Sequence, residues 1–314
     1  MKNTNKPAYG GQAVVEGVMF GGKHQTVTAI RRKDQSIEYF YLPRKTKPVF
    51  KTLKKIPFLR GIVAIIEASA NGAQHLTFST DRYDVDPSED SKIQEEKMSK
   101  TTLVLSVAVL GVLSFIFSKF IFTLVPVFLA AFFKPIFPGD MAQILLEGLF
   151  KLILLLSYIY FISMTPLIKR VFQYHGAEHK VINAYEHDLD LTVENVQSMS
   201  RLHYRCGSSF ILFTVVVGVF IYMFVDVNPL WVRILNRLAL IPVVLGVSFE
   251  VLQLTNKMRN LPVLKWLGYP GLWLQLLTTK EPTDDQVEVA LASFNELLKV
   301  EKQSEGNIKT EKII

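Results

Sequence analysis

Four long apolar stretches constrain the fold of this chain more than any other feature. They cover residues 103–133, 144–168, 210–225 and 230–254. A helix needs about 20 predominantly apolar residues to cross the hydrocarbon core of a bilayer. The first two stretches exceed that length, which disfavours the alternative of buried helices in a large soluble core. The sequence therefore predicts a mainly α-helical, polytopic membrane protein with about four transmembrane helices and a small cytoplasmic α/β portion.

Basic residues near the ends of these stretches predict the orientation. Twelve Lys and Arg residues lie on the side that holds the N-terminal arm, the loop 169–209 and the C-terminal region, and three lie in the two short loops opposite. Because cytoplasmic segments carry the excess of Lys and Arg, we expect a multi-pass protein of the bacterial cytoplasmic (inner) membrane with both termini cytoplasmic. The single cysteine, Cys206, excludes an intrachain disulfide and fits the reducing side.

Composition divides the chain into segments, and no apolar run in the first 40 residues fits a signal peptide. The predicted segments are a cytoplasmic Gly-rich β and basic arm at 1–56, an amphipathic interfacial helix at 57–79, a linker at 80–100, a four-helix transmembrane region at 101–254 whose cytoplasmic loop 169–209 holds a His/Glu motif, a cytoplasmic C-terminal helical region at 255–300 and a disordered tail at 301–314. Within the arm, residues 26–32 and 36–42 flank a short polar turn, which predicts a β-hairpin. Thr283 and Gln286 form a T-x-x-Q pattern, which predicts a capping box at the start of an amphipathic helix.

The segment 57–79 has two interpretations. It is largely apolar, but Glu67, Asn71, Gln74 and His75 fall on one helical face. This pattern favours a helix that lies in the membrane interface. A fifth transmembrane span is the alternative, and it would place the basic arm outside the cell against the positive-inside rule.

The basic arm leaves three interpretations open. Residues 31–60 contain ten Lys and Arg against two acidic residues. The surplus fits a solvated face, attraction to a lipid bilayer with anionic headgroups, or contact with RNA such as that of a ribosome. The net charge of the whole chain, +7, is modest and gives no reason to expect DNA as a partner.

The segment after the second apolar stretch contains the strongest chemical pattern, H-x-x-E-H, formed by His175, Glu178 and His179. On a helix, residues four apart leave the same face, so both imidazoles can reach one zinc ion. Glu178 lies on nearly the same face and could act as general base on a metal-bound water, as in the inverted zincin motif. The alternative is structural: interfacial histidines, with Glu178 paired to Lys180 or Arg170.

A catalytic zinc usually takes three ligands from the protein. Glu250 is the first candidate for the third ligand, since a carboxylate within an apolar span needs a partner or a function. His203 and Cys206 are alternates. With His175 and His179 they would close a His₃Cys site, which would be structural rather than catalytic.

Five motifs resemble those of the YqhQ-like family of bacterial multi-pass membrane proteins. They are G-G-Q-A-V-V-E-G-V-M at 10–19, R-G-I-V at 60–63, H-G-A-E-H-K at 175–180, R-C-G-S-S-F at 205–210 and P-G-L-W-L-Q-L-L-T-T-K-E-P at 270–282. The resemblance implies a domain of unknown function over nearly the whole chain, with members sometimes labelled as predicted metal-dependent enzymes. Tyr204 stands where the family pattern H-P-R-C-G has Pro, which puts the shape of that turn in doubt.

Two functional hypotheses follow from these patterns. The first is a metal-dependent membrane enzyme, such as a zinc hydrolase, with Glu178 as the general base. The second is a non-enzymatic membrane factor that binds another membrane protein, the translocation machinery or a ribosome. Transport is a third class, although four spans without an internal repeat are a weak basis for it.

Overall fold

The computed structural model describes residues 7, 9–44, 48–90, 113–114, 117–118, 120–258, 261 and 263–311. Residues 103–112, 115–116 and 119 of the first predicted span and residues 91–100 of the predicted linker lie outside the described residues.

A four-stranded antiparallel sheet forms from the N-terminal arm. Strands β1 (Gly10–Val14), β2 (Gly17–Gly21), β3 (Gln25–Arg31) and β4 (Ile37–Pro43) pair in the order in which they occur in the chain. The predicted hairpin is confirmed, because β3 and β4 pair with Thr28 opposite Phe40. Gly17 begins β2 where a Cβ atom would lie 2.1 Å from the Ala29 carbonyl oxygen of β3, so only glycine fits there.

The chain then forms eleven α-helices within the described residues. They are α1 (Pro48–Leu53), α2 (Leu59–Arg82), α3 (Val125–Phe132), α4 (Asp140–Ile162), α5 (Pro166–Glu186), α6 (Val193–Gln197), α7 (Ser208–Tyr222), α8 (Leu230–Ala239), α9 (Ile241–Met258), α10 (Tyr269–Thr278) and α11 (Asp284–Glu311). A π-helical turn, Phe120–Leu124, precedes α3, and a 3₁₀ turn, Leu264–Gly268, precedes α10.

The sheet packs on α5 and α11 around one core, which we call the sheet core. Phe294 of α11 lies at its centre, with its ring centroid 5.0 Å from that of Phe20 and 5.3 Å from that of Tyr9. The T-x-x-Q prediction holds at the start of α11, where the Thr283 N–H donates to Gln286 Oε1 at 3.0 Å.

The predicted disordered tail, 301–314, needs correction because α11 continues to Glu311. Glu301 is buried, and its Oε1 accepts hydrogen bonds from the backbone N–H groups of His24 and Gln25, both at 2.8 Å. The Glu301 carboxylate, one of the charges that suggested a solvated tail, thus accepts hydrogen bonds from the backbone N–H groups of the turn between β2 and β3.

The remaining helices form a second region, the helical region, in which α4 packs on α3 and α7, and α7 packs on α9 and α10. Among the described residues, α4 is long and apolar enough to cross a membrane by itself, and α8 with α9 would count as a second span despite a bend of 51° between them. Pro242, in the first turn of α9, cannot donate a backbone hydrogen bond to α8, which fits the bend. The prediction of about four spans is therefore not confirmed.

Three helices, α2, α8 and α10, bury polar or small residues and expose many of their apolar residues. In α2, Gly72, His75 and Ser79 face the protein while Ile66 and Leu76 are exposed. His75 lies against the sheet, with Nδ1 2.6 Å from Thr28 Oγ1 and Nε2 3.0 Å from Thr26 Oγ1. Helices α8 and α10 repeat this arrangement. Helix α2 is not among the described helices apolar enough to span a membrane.

Candidate metal centre

The H-x-x-E-H motif lies on one face of α5, as its spacing predicts. Pro166 begins the helix, where its fixed φ suits the first turn. The motif residues line a cavity of about 340 Å³ together with residues 10–13 of β1 and residues 203 and 205–208. The cavity lies between the two regions, because its wall includes Ile182 of the sheet core and Phe172, which packs on the core of the helical region.

Three side chains present possible metal-ligand atoms to one point. These atoms of His175, His179 and Cys206 all lie within 4.8 Å of one another. Cys206 Sγ is 3.3 Å from His175 Nε2, and the two imidazole centroids are 4.5 Å apart. Nitrogen and sulfur donors in this number are the set that zinc prefers.

Backbone carbonyls fix both histidine rings. His175 Nδ1 is 2.8 Å from the Thr278 carbonyl oxygen, and His179 Nδ1 is 2.7 Å from the Arg201 carbonyl oxygen. A carbonyl can only accept, so each Nδ1 carries a proton and each Nε2 is the nitrogen that faces the candidate site. This is the tautomer that metal-binding histidines use, with the second nitrogen anchored by an outer partner.

Gln275 of α10 holds the turn that brings Cys206 to the histidines. It is fully buried, and its Oε1 accepts from the His203 N–H at 2.8 Å. Its Nε2 donates to the His203 carbonyl at 2.8 Å and to Ser209 Oγ at 3.0 Å. One amide therefore clamps both ends of the segment 203–209. Gln275 was not predicted, although a lone amide in the apolar run 269–278 was a usable signal.

Glu178 is buried beside the three possible ligands. Its carboxylate accepts a hydrogen bond from the Gly11 N–H. A Cβ atom at Gly11 would lie 2.9 Å from Glu178 Cγ, so a glycine at this position of β1 allows the helix this close. Burial raises the pKa of Glu178 to about 7, although His175 and the Gly11 hydrogen bond lower it. The carboxyl group is thus poised to exchange protons near neutral pH.

His203, an alternate ligand, lies on the cavity wall but outside the three-residue group. Its Nδ1 accepts from the Arg205 N–H at 3.4 Å, and its Nε2 is 3.6 Å from Glu186 Oε1. Burial lowers its pKa to about 4 against the effect of Glu186, which raises it, so the ring is neutral at pH 7. The structure thus assembles three members of the predicted His₃Cys set.

Glu250, the first candidate for the third ligand, lies elsewhere. Its Oε1 accepts from Arg60 Nε at 2.7 Å and from the Phe58 N–H at 3.1 Å. It is absent from the described cavity wall. The carboxylate in the apolar stretch does have a partner, but that partner is Arg60 of the R-G-I-V motif. Cys206, one of the predicted alternates, lies beside the two histidines where Glu250 was expected.

Residues 56–300 match the family described as "Protein of unknown function (DUF1385)". The chain belongs to this family. The "Uncharacterized protein YqhQ" of Bacillus subtilis (strain 168) is 70% identical to it over 310 residues, which cover 98% of each chain. The resemblance to the YqhQ-like family is therefore confirmed. No solved structure matches the chain. Because the description of the family assigns no function, the function has to be argued from the site.

Proposed function

We propose that this protein is a metal-dependent membrane enzyme, a hydrolase that holds a divalent metal, zinc, with His175, His179 and Cys206. One observation supports this most: three ligand atoms converge beside a buried carboxyl group on the wall of a cavity. Three protein ligands leave the fourth position of a tetrahedral zinc site open, as catalytic sites require. A closed structural site would need a fourth side chain, and His203, the fourth predicted ligand, lies outside the group of three converging ligand atoms.

Glu178 would act as the general base. Zinc would lower the pKa of a bound water to about 7 and polarise the scissile group of the substrate. Glu178 takes a proton from the attacking water as the new bond to the substrate forms, and passes it to the leaving group as the scissile bond breaks. The Gly11 N–H fixes the carboxyl group in position.

The membrane location is part of the proposal, with several spans in the cytoplasmic membrane and both termini cytoplasmic. It is supported by α4, whose Leu145, Leu149 and Ile153 are about half exposed. The excess of Lys and Arg near the predicted cytoplasmic ends, twelve against three, also supports it.

The alternative of a non-enzymatic factor for a membrane protein, the translocation machinery or a ribosome is supported less. It depends on the basic arm, in which four of the ten Lys and Arg of residues 31–60 form ion pairs within the protein. Arg32 binds Glu38 and Asp90, Lys54 binds Glu67 and Arg60 binds Glu250.

Metal analysis of detergent-purified variants tests the proposal. We expect stoichiometric zinc in the wild type and its loss in His179→Ala and Cys206→Ala. His187→Ala is a matched control, because this exposed histidine ends the same helix away from the cavity. Glu178→Gln should keep the metal but lower complementation of a deletion phenotype, since removal of a general base costs about 10²–10⁴ in rate.

Two results would contradict the proposal. Gently purified wild-type protein without metal would exclude the site. A metal-bound Glu178→Gln protein of normal abundance and full complementation would exclude the catalytic role and leave the metal a structural one.

A further inference from the structure

Helix α10 buries its polar residues and exposes a large part of its apolar surface. Gln275 and Thr278 are buried with Gly271 and Leu274, whereas Trp273 is 64% and Leu276 is 46% exposed. A surface helix of a soluble protein shows the opposite pattern, with the apolar stripe toward the core. The exposed apolar surface of α10 therefore fits contact with a medium less polar than water.

Contacts on the inner face of α10 fix the rotation of the helix about its axis. Gly271 lies so close to α7 that a Cβ atom there would be 2.7 Å from Ser209 Cβ. Gln275 clamps the segment 203–209, and the Thr278 carbonyl fixes His175. Rotation of the helix would break these contacts and expose an amide to the lipid side.

The outer face continues into the preceding 3₁₀ turn. Trp266 is 60% exposed, and its ring centroid lies 4.6 Å from that of Tyr269. Tryptophan and tyrosine collect at the boundary between hydrocarbon and headgroups. Lys265 precedes Trp266 in the chain and Lys257 lies in the last turn of α9, and such lysines can pair with anionic headgroups. We call the exposed side chains of Trp266, Trp273 and Leu276 the tryptophan face.

We propose that the tryptophan face lies in the headgroup layer of the cytoplasmic leaflet, so that α10 is an interfacial helix whose inner side positions the candidate metal centre. This rests on the proposed membrane location. With ten residues, α10 is about 15 Å long and too short to span. It also packs on α4 and α7, so its outer face continues their exposed apolar surface. The segment 255–300 is then not wholly in the cytoplasm.

The three tryptophans of the chain, Trp231, Trp266 and Trp273, allow a direct test. A protein with Trp231→Phe and Trp266→Phe keeps Trp273 as its one fluorophore. In vesicles of phosphatidylcholine and phosphatidylglycerol, we expect brominated lipids to quench it, more strongly with bromine near the headgroup than at the chain ends. Iodide in the aqueous phase should quench it weakly.

A second protein, with Trp266→Phe and Trp273→Phe, is the matched control, because Trp231 of α8 is similarly exposed at 63%. Strong quenching of Trp273 by iodide alone would place the face in water and overturn the proposal. Quenching by neither reagent would show a protein partner or a second copy and overturn it too. Alkaline carbonate extraction separates this inference from the proposed membrane location. Extraction of the protein by carbonate would contradict the membrane location itself. A protein that resists extraction but has Trp273 in water would contradict only the inference about α10.

Discussion

The sheet core and the helical region use the same residue types in opposite ways. In the sheet core, Phe20, Phe294 and Leu297 are fully buried. In the helical region, Phe161 and Phe220 are mostly exposed, whereas Glu147, Arg233 and Arg237 are buried. Burial of apolar surface stabilises a fold only where that surface would otherwise contact water. The contrast supports the proposed membrane location of the helical region, and the candidate metal centre lies where the two regions meet.

The sharpest test of this contrast is to replace one phenylalanine by alanine in each region and to compare the losses of stability. Phe294→Ala empties the centre of the sheet core and should lower the free energy of unfolding by about 3–5 kcal/mol. Phe220→Ala, on the outer face of α7, should cost far less, because lipid or detergent fills the space. Thermal unfolding of both variants in one detergent measures the difference. Equal costs would show that Phe220 is packed against protein.

Removal of the buried carboxylate should be nearly as costly. Glu147 Oε1 accepts from Arg237 Nε at 2.7 Å, and Glu147 Oε2 accepts from Arg233 Nε at 3.0 Å. Glu147→Ala leaves two buried guanidinium groups without this partner, and we expect a loss of about 3–5 kcal/mol. Glu296→Ala, at a partly buried carboxylate paired with the exposed Lys299, is the control and should change stability little. A stable, abundant Glu147→Ala protein would show that this ion cluster does not hold α4 to α8.

The boundary between the regions should respond to pH through His75. Burial lowers the pKa of His75 to about 4 from its usual value near 6.5. The folded state thus prefers the neutral ring, so this contribution is complete above pH 6.5 and is lost as the pH falls toward 4, on the order of 3 kcal/mol. His75→Gln can bond to Thr26 and Thr28 without titrating. Unfolding midpoints should therefore fall more steeply from pH 6.5 to 4 in the wild type than in the variant, and parallel profiles would contradict this.

The smallest effect on stability is expected at Gln275. Gln275→Ala leaves the buried His203 N–H and carbonyl without their partner, at a cost of about 1–3 kcal/mol. If the amide also positions Cys206, zinc affinity should fall by about 10–100-fold, as for other outer partners of metal ligands. Gln173→Ala removes a more exposed amide near the start of α11 and should leave zinc affinity unchanged. Unchanged affinity in Gln275→Ala would assign the amide to folding alone.

The sequence by itself determined the features that depend on neighbours in the chain. Helical spacing places His175, Glu178 and His179 on one face whatever surrounds the helix. The hairpin of β3 and β4 and the cap of α11 also follow from local patterns, as does the apolar helix α4. Each of these needs interactions only among residues a few positions apart, so the residue pattern is sufficient.

Tertiary structure alone decided the partners of the charged and polar groups. Cys206 rather than Glu250 meets the histidines, Arg60 binds Glu250 from 190 positions away, and Glu147 joins Arg237 across 90 positions. A buried charge must find a partner, and that need can be read from the sequence. Which partner it finds depends on how the helices pack, and no local periodicity encodes that choice. The same holds for α2, α8 and α10, whose buried polar side chains contact the sheet or neighbouring helices.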